Sequence, residues 1–424
     1  MTGETVRQNL SQELVSAHLQ TDQLFQMLAP AALHMRPIPE RHRIIFYIGH
    51  LEAFDWNMVC KFACEMPSFN AEFDRLFAFG IDPVDGKLPD DKPSDWPAVD
   101  EIRSYRDRIR RAIDTVLDTA ELEDESRTRI FHAAIEHRFM HAETLAYMFH
   151  WLDVDLKTSQ ESKREESAKK TPARAGSKLI PAGQVTLGQN AGGAFGWDNE
   201  FKAHSVLVPE FSIDTINVTN QDYLEFVMAG GYQERSLWTD EAWNWLQQSG
   251  IGHPKFWIRR NRDWFCRTMF DEIPLPPDWP VYVSHAEASA YCRWNGKMLP
   301  TEAQYQRAAF GSRDGGDAQR MPDGNFNYKS WNPMPVGSFA PSAFGVFDLV
   351  GNGWEWTRTR FGPFEGFEPF SFYPGYSADF FDGKHFVLKG ASPRTAVSLV
   401  RSSFRNWFQP HYPNVYATFR CVEQ

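Results

Sequence analysis

Apolar positions recur at helical spacing over the first third of the chain. Between Glu13 and Met27, Leu14, Val15, His18, Leu19, Leu24 and Phe25 fall on one helical pattern, which ends near Pro30. From Arg43 to about Cys64 the residues are apolar almost all round, as in a helix buried on every side. From Val99 to Leu117, Ile102, Tyr105, Ile109, Ile113 and Leu117 form a stripe, with arginines on the opposite face. Glu123 to about Leu152 reads as a long fourth helix. Four such segments joined by loops predict a four-helix bundle over residues 1–155.

The pattern then changes twice. Leu156 to Lys178 has seven basic and three acidic residues and almost no large apolar side chain. Such a stretch cannot bury enough surface to offset the entropy of ordering it, so a flexible linker is predicted over residues 156–178. From Leu179 short apolar runs are broken by Gly, Pro, Asn and Asp, and Trp is dense. Helical spacing returns only at Asn220–Ala229, His285–Gly296 and Thr301–Phe310. Residues 179–424 therefore read as short strands and long loops, and the whole chain as α+β.

Composition narrows the function classes. Of the 424 residues 42% are hydrophobic and 23% charged, enough apolar surface for folded cores. A formal net charge of −11 argues against nucleic-acid binding, which needs a basic face. No apolar run reaches the length of a membrane span, and the first residues lack the apolar core of an export signal. Five cysteines without a CxxC pair predict a reduced, cytoplasmic setting.

The candidate chemistry lies in the histidines. Four of the 13 fall on the fourth helix: His132, His137, His141 and His150. His137 and His141 are four apart, so they stand about 40° apart on one face and can share a metal ion. Glu143 is about 200° round from His141 and points away. A third ligand must come from another helix. His50 is the best candidate, a polar ring within the apolar run IIFYIGHLEAFDWN that needs a partner when buried. For each histidine alone, a hydrogen-bonded core residue is the competing explanation. Three neutral imidazoles would leave open positions on a metal, as in the facial triad of non-heme iron oxygenases with a histidine in place of the carboxylate.

Several strings from Ile180 onward form a series: IPAG at 180–183, FSIDTINVTNQDYLEFVMAGGY at 211–232, AYCRWNGKMLPTEAQYQRAAFG at 290–311, GNGWEWTRTRF at 351–361 and FRCV at 419–422. This series resembles the formylglycine-generating enzyme, or sulfatase-modifying factor, domain with its C-type-lectin-like core. That family's oxidase activity depends on a C-terminal cysteine pair. Cys421 stands alone near the end of this chain, so formylglycine formation is not expected. The N-terminal part resembles the DinB-like bundle, and HRFMHAE at 137–143 matches the HxxxHxE motif found where that bundle is combined with a sulfatase-modifying-factor domain. The combination resembles the ergothioneine-biosynthesis sulfoxide synthases.

That resemblance implies a non-heme Fe(II) enzyme that uses O2 to join sulfur to imidazole C2 of hercynine, with His50, His137 and His141 as metal ligands. YPGYSADFF at 373–381 resembles a family segment whose first tyrosine is a proton donor and whose second lines the substrate pocket, implying those roles for Tyr373 and Tyr376. FRNWF at 404–408 implies a trimethylammonium site at Asn406 and Trp407. A Trp face attracts quaternary ammonium groups. Members that take γ-glutamylcysteine place an Asp after the Trp and an Arg a little further on. Here Phe408 follows, then Tyr412, and a small or uncharged thiol or selenol donor is expected, with Arg358 or Arg360 as the route to a carboxylate. Other readings remain: a selenoneine synthase taking a selenosugar, a DinB-like thiol transferase on zinc or nickel, and a non-catalytic ligand-binding module.

Overall fold

The structure, a computed structural model, describes residues 3–78, 89–120, 124–158, 175–313, 316–317 and 323–423. The chain divides into two compact units, residues 1–161 and 162–424.

The first unit is helical: α1 (Gly3–Gln26), α2 (Ile44–Asp55), α3 (Ala71–Leu76), α4 (Val99–Thr119) and α5 (Glu125–His150). The long helices α1 and α2 each pack against both α4 and α5. Every residue of α2 is buried, as its unbroken apolar run requires. The helix continues into a π-helical turn, Trp56–Phe62. In α4 the buried face is Ile102, Tyr105, Ile109, Ile113, Val116 and Leu117. Asp124 starts α5 by accepting a hydrogen bond from the Ser126 N–H.

Charged side chains lie between the helices. Arg138, fully buried on α5, donates to Asp55 and Glu52 of α2 and to the Leu51 carbonyl. Arg110 of α4 joins Glu52 to Asp22 of α1. His18, Glu52 and Asp55 present ligand-type atoms near one another, but the Arg138 guanidinium already pairs with both carboxylates.

Both ends of the stretch 156–178, expected as a linker, hold ordered residues. The Leu156 carbonyl accepts from the Ala29 N–H, and Lys157 is buried with its ammonium on the Phe149 carbonyl. At the far end Ser177 and Lys178 already belong to strand β1. Residues 159–174 lie outside the described residues.

The second unit holds β1 (Ser177–Ile180), β2 (Gly183–Leu187), β3 (His204–Val208), β4 (Phe211–Asp214), α6 (Asn220–Met228), α7 (Asp240–Ser249), β5 (Trp257–Arg260), β6 (Asp263–Arg267), β7 (Glu272–Pro274), α8 (His285–Trp294), α9 (Glu302–Phe310), β8 (Gly353–Arg360), α10 (Gly375–Ala378), β9 (Phe386–Ala391), β10 (Asn406–Phe408), β11 (Ala417–Thr418) and β12 (Val422–Glu423). They form sheets β1-β4-β12, β10-β9-β8-β11, β2-β3 and β5-β6-β7. β8 pairs antiparallel with β9 and parallel with β11, which ties the chain's end to its middle. Two buried ion pairs brace this arrangement. Arg420 grips Glu355 of β8 through two nitrogens, and Arg405, just before β10, grips Glu302 of α9. Residues of the TEAQ, WEW, FRN and FRC strings thus hold the sheets in place.

Candidate metal centre and aromatic cluster

In the helical unit His50 of α2 and His137 and His141 of α5 converge. Their ligand atoms all lie within 4.8 Å of one another. His141 Nε2 is 3.2 Å from His50 Nε2 and 3.1 Å from His137 Nε2. All three rings are buried.

The residues around them set their protonation. His50 Nδ1 lies 2.8 Å from the Phe77 carbonyl, which only accepts, so Nδ1 carries the proton and Nε2 presents a lone pair to its neighbours. Burial holds the His50 pKa down at about 4. Burial, and then the neighbouring imidazoles, push His137 and His141 well below the usual value. The ring of Phe54 lies flat against His137, centroids 3.5 Å apart, and Phe46 stacks on His50.

Three buried, neutral imidazoles crowded together suit a cation better than they suit each other. His141 Nε2 lies within 3.2 Å of a nitrogen on each of the other two rings, so the three imidazoles would be able to hold one ion between them. The donor set fits a divalent first-row metal. His132 is instead half-exposed near Glu13, and the His150 ring lies against Trp151. Neither belongs to the cluster, nor does Glu143.

The C-terminal unit carries a second arrangement. Tyr376 stacks on Trp197, with centroids 3.9 Å apart, and meets Trp407 edge-on at 5.4 Å. Tyr373 approaches Trp197 at 6.5 Å and Tyr376 at 5.6 Å. Trp407 lies parallel to Phe361 at 4.2 Å, with Phe380 beside it. Tyr373, Tyr376 and Trp407 therefore form one cluster with Trp197.

Phe408 and Tyr412 do not join it. Side chains alternate along a strand, so Asn406 and Phe408 of β10 face away from Trp407. Phe408 is cross-strand from Phe386, on which His285 stacks, and its ring parallels Tyr412 at 5.5 Å. The two groups of candidate substrate residues thus occupy opposite sides of β10. The Arg360 guanidinium lies over Phe386, 5.1 Å from the ring centroid, whereas Arg358 contacts Met298 and Gln304.

Cys421 is not isolated in space. Its sulfur lies 3.2 Å from that of Cys292 on α8, 129 residues earlier, and both thiols are buried and free. The contact with Cys292, reinforced by burial, pushes the Cys421 thiol well above its usual pKa, which disfavours a nucleophilic thiolate.

Sequence reasoning passed over Trp197, Asp198 and Asn199. Asp198 and Asn199 hold Ser377, between the tyrosines and β9, by side-chain hydrogen bonds. The string FGWDNE offered a signal, since two carboxylates and an amide beside a Trp need partners if buried.

The sulfatase-modifying factor enzyme 1-like domain matches residues 162–424, and the DinB superfamily matches residues 13–152. A hercynine oxygenase of Mycolicibacterium smegmatis is 32% identical over 98% of this chain and 99% of its own length. A hercynine oxygenase of Mycobacterium tuberculosis is 36% identical, over 53% of this chain and 55% of its own. Ergothioneine biosynthesis protein 1 of Neurospora crassa is 26% identical over 94% of this chain and 55% of its own. The chain belongs to the family of the hercynine oxygenases, which joins a DinB domain to a sulfatase-modifying factor enzyme 1-like domain. Among the described residues no helix is long and apolar enough to cross a membrane.

Proposed function

We propose that the chain is a non-heme Fe(II), O2-dependent synthase that forms a C–S bond at imidazole C2 of hercynine. The observation that carries this reading is the buried three-imidazole cluster, in a chain similar along its length to a hercynine oxygenase. Iron held by His50, His137 and His141 supplies one-electron and oxygen chemistry. The protein's own residues do the rest. The imidazoles stay neutral and leave the ion its full charge. Tyr373 holds a proton at its phenol oxygen and releases it as negative charge develops on oxygen. Tyr376 lines the substrate site, and the Trp407 face takes the trimethylammonium group, while Asn406, on the other side of β10, accepts from the Trp407 N–H through its side-chain oxygen. The five free thiols suit a cytoplasmic setting.

The donor is a small or uncharged thiol. A selenosugar, which would make the enzyme a selenoneine synthase, is the second reading, supported by Phe408 standing after Trp407 where members that take γ-glutamylcysteine carry an Asp.

The test is to load the metal-free protein with Fe(II), add hercynine, air and one donor at a time, and identify products by mass spectrometry. γ-Glutamylcysteine, cysteine, thioglucose and selenoglucose are the donors. Oxygen uptake with a hercynine-derived C–S product is expected. A C–Se product formed with higher kcat/KM selects the second reading. Tight zinc with no oxygen uptake would overturn both in favour of a thiol transferase, and no metal binding in favour of a ligand-binding module. Full iron loading in His137→Ala would remove the ligand assignment.

A further inference from the structure

The segment that carries Tyr373 and Tyr376 has little regular structure of its own. Between Phe370 and Ala378 it contains two turn-like backbone hydrogen bonds, Tyr373 N–H to Phe370 and Tyr376 N–H to Tyr373, and the short helix α10. Its placement comes from elsewhere. Ser377, fully buried, donates its hydroxyl proton to Asp198 and accepts from the Asn199 amide at 2.9 Å. Burial raises the Asp198 pKa above the usual carboxylate value, and the Ser377 hydroxyl, the Asn199 N–H and, at the segment's start, the Phe370 N–H offset this in part. The Tyr376 ring rests on Trp197. Three consecutive residues thus hold the ring and both ends of the segment.

These residues are themselves braced. Glu200, fully buried, accepts from Arg401, Ser403 and the Trp197 N–H. The Asn199 carbonyl accepts from Arg405, whose guanidinium pairs with Glu302. Asp198 is buried at 1% exposure, where a carboxylate is costly unless hydrogen-bonded. Its bonds run to the tyrosine segment rather than to a sheet or helix of the core.

We propose that Asp198 is a positioning residue: by holding Phe370 and Ser377 it sets where the Tyr373 hydroxyl and the Tyr376 ring stand. The proposal rests on the reading of those tyrosines as site residues. A proton donor displaced by about 1 Å loses on the order of 100-fold in rate, so a loop with few bonds of its own needs such an anchor.

The experiment uses the full chain in five variants: Asp198→Ala, Asp198→Asn, Ser377→Ala, Tyr373→Phe and the double variant Asp198→Ala with Tyr373→Phe. Amide hydrogen exchange is followed by mass spectrometry without metal or substrate. Asp198→Ala should speed exchange in peptides spanning 370–380 and leave the helical unit unchanged. Asp198→Asn keeps an oxygen that accepts from Ser377 and should stay close to wild type. Ser377→Ala, the milder change, should move the same peptides even if Asp198→Ala fails to fold. In turnover with hercynine and the best donor, Asp198→Ala should lower kcat about 10-fold or more while iron loading stays complete. Added to Tyr373→Phe, it should slow the enzyme by less than its effect in the wild-type background, because the part that acts through Tyr373 is already lost. Unchanged exchange at 370–380, exchange raised throughout the second unit, or full additivity with Tyr373→Phe would each overturn the proposal. If Tyr373→Phe turns over like wild type while Asp198→Ala loosens 370–380, the tyrosine reading fails and the anchoring stands.

Discussion

At the scale of single residues the candidate metal centre depends on a carbonyl. Phe77 fixes the His50 tautomer from 27 residues away, and it reaches α2 because position 49 has no side chain. A Cβ at Gly49 would sit 2.5 Å from the Phe77 ring. Gly49→Ala should therefore push Phe77 aside, free the His50 ring and weaken Fe(II) binding about 10-fold or more, read by equilibrium titration, with helix content unchanged. Tyr373→Phe should leave iron loading intact and slow coupling, or divert turnover to oxidation of the thiol alone; an unchanged product ratio and rate would take Tyr373 out of the mechanism. The i, i+4 pair was legible because helix geometry relates its members. His50 was legible because a polar ring inside an apolar run needs a partner. Phe77 was not, since its contribution is a backbone atom that every residue possesses.

Among elements, the buried charges of the bundle hold α5 against α2. Arg138 follows the candidate ligand His137, and its partners Glu52 and Asp55 follow His50 on α2. Arg138→Ala would strand two buried carboxylates, and loss of one partner of a buried pair costs about 3–5 kcal/mol. Urea unfolding should show a destabilisation of that order. Ile113→Ala, a cavity in the apolar face of α4, should cost about 2–5 kcal/mol by the same measurement. The four long helices were legible from their apolar spacing, although α1 begins at Gly3, ten residues before its predicted start. Helix α7 was missed although its end signals were present: the Thr239 side chain accepts from the Ala242 N–H, and Gly250 closes the helix with a left-handed φ of 65°. Only Ala242 and Leu246 of that helix are buried, and its Trp243 and Trp245 read as part of the Trp-rich loops around it.

For the whole molecule, acid should be the weak side. Burial holds the His285 pKa down at about 3 against an ordinary 6.5, and lowers that of His18. Above pH 6.5 these rings are neutral folded or unfolded, and pH has no hold on them. As pH falls below 6.5 the unfolded chain takes up protons that the folded chain refuses, so stability drops until about pH 3. Thermal unfolding of metal-free protein should show Tm falling over that range, and His285→Gln should flatten the fall. A Tm independent of pH between 6.5 and 4 would contradict the buried, neutral state of these rings. The sequence by itself determined the helical start, the strand-and-loop remainder and the candidate ligands, because apolar spacing and motif spacing are properties of neighbours along the chain. Only the tertiary structure decided which distant residues meet. It put Cys292 beside Cys421, set Phe408 and Tyr412 across β10 from Trp407, and hung the tyrosine segment on Asp198. Those relations depend on strand pairing and side-chain packing between residues as many as 179 positions apart, which no local pattern encodes.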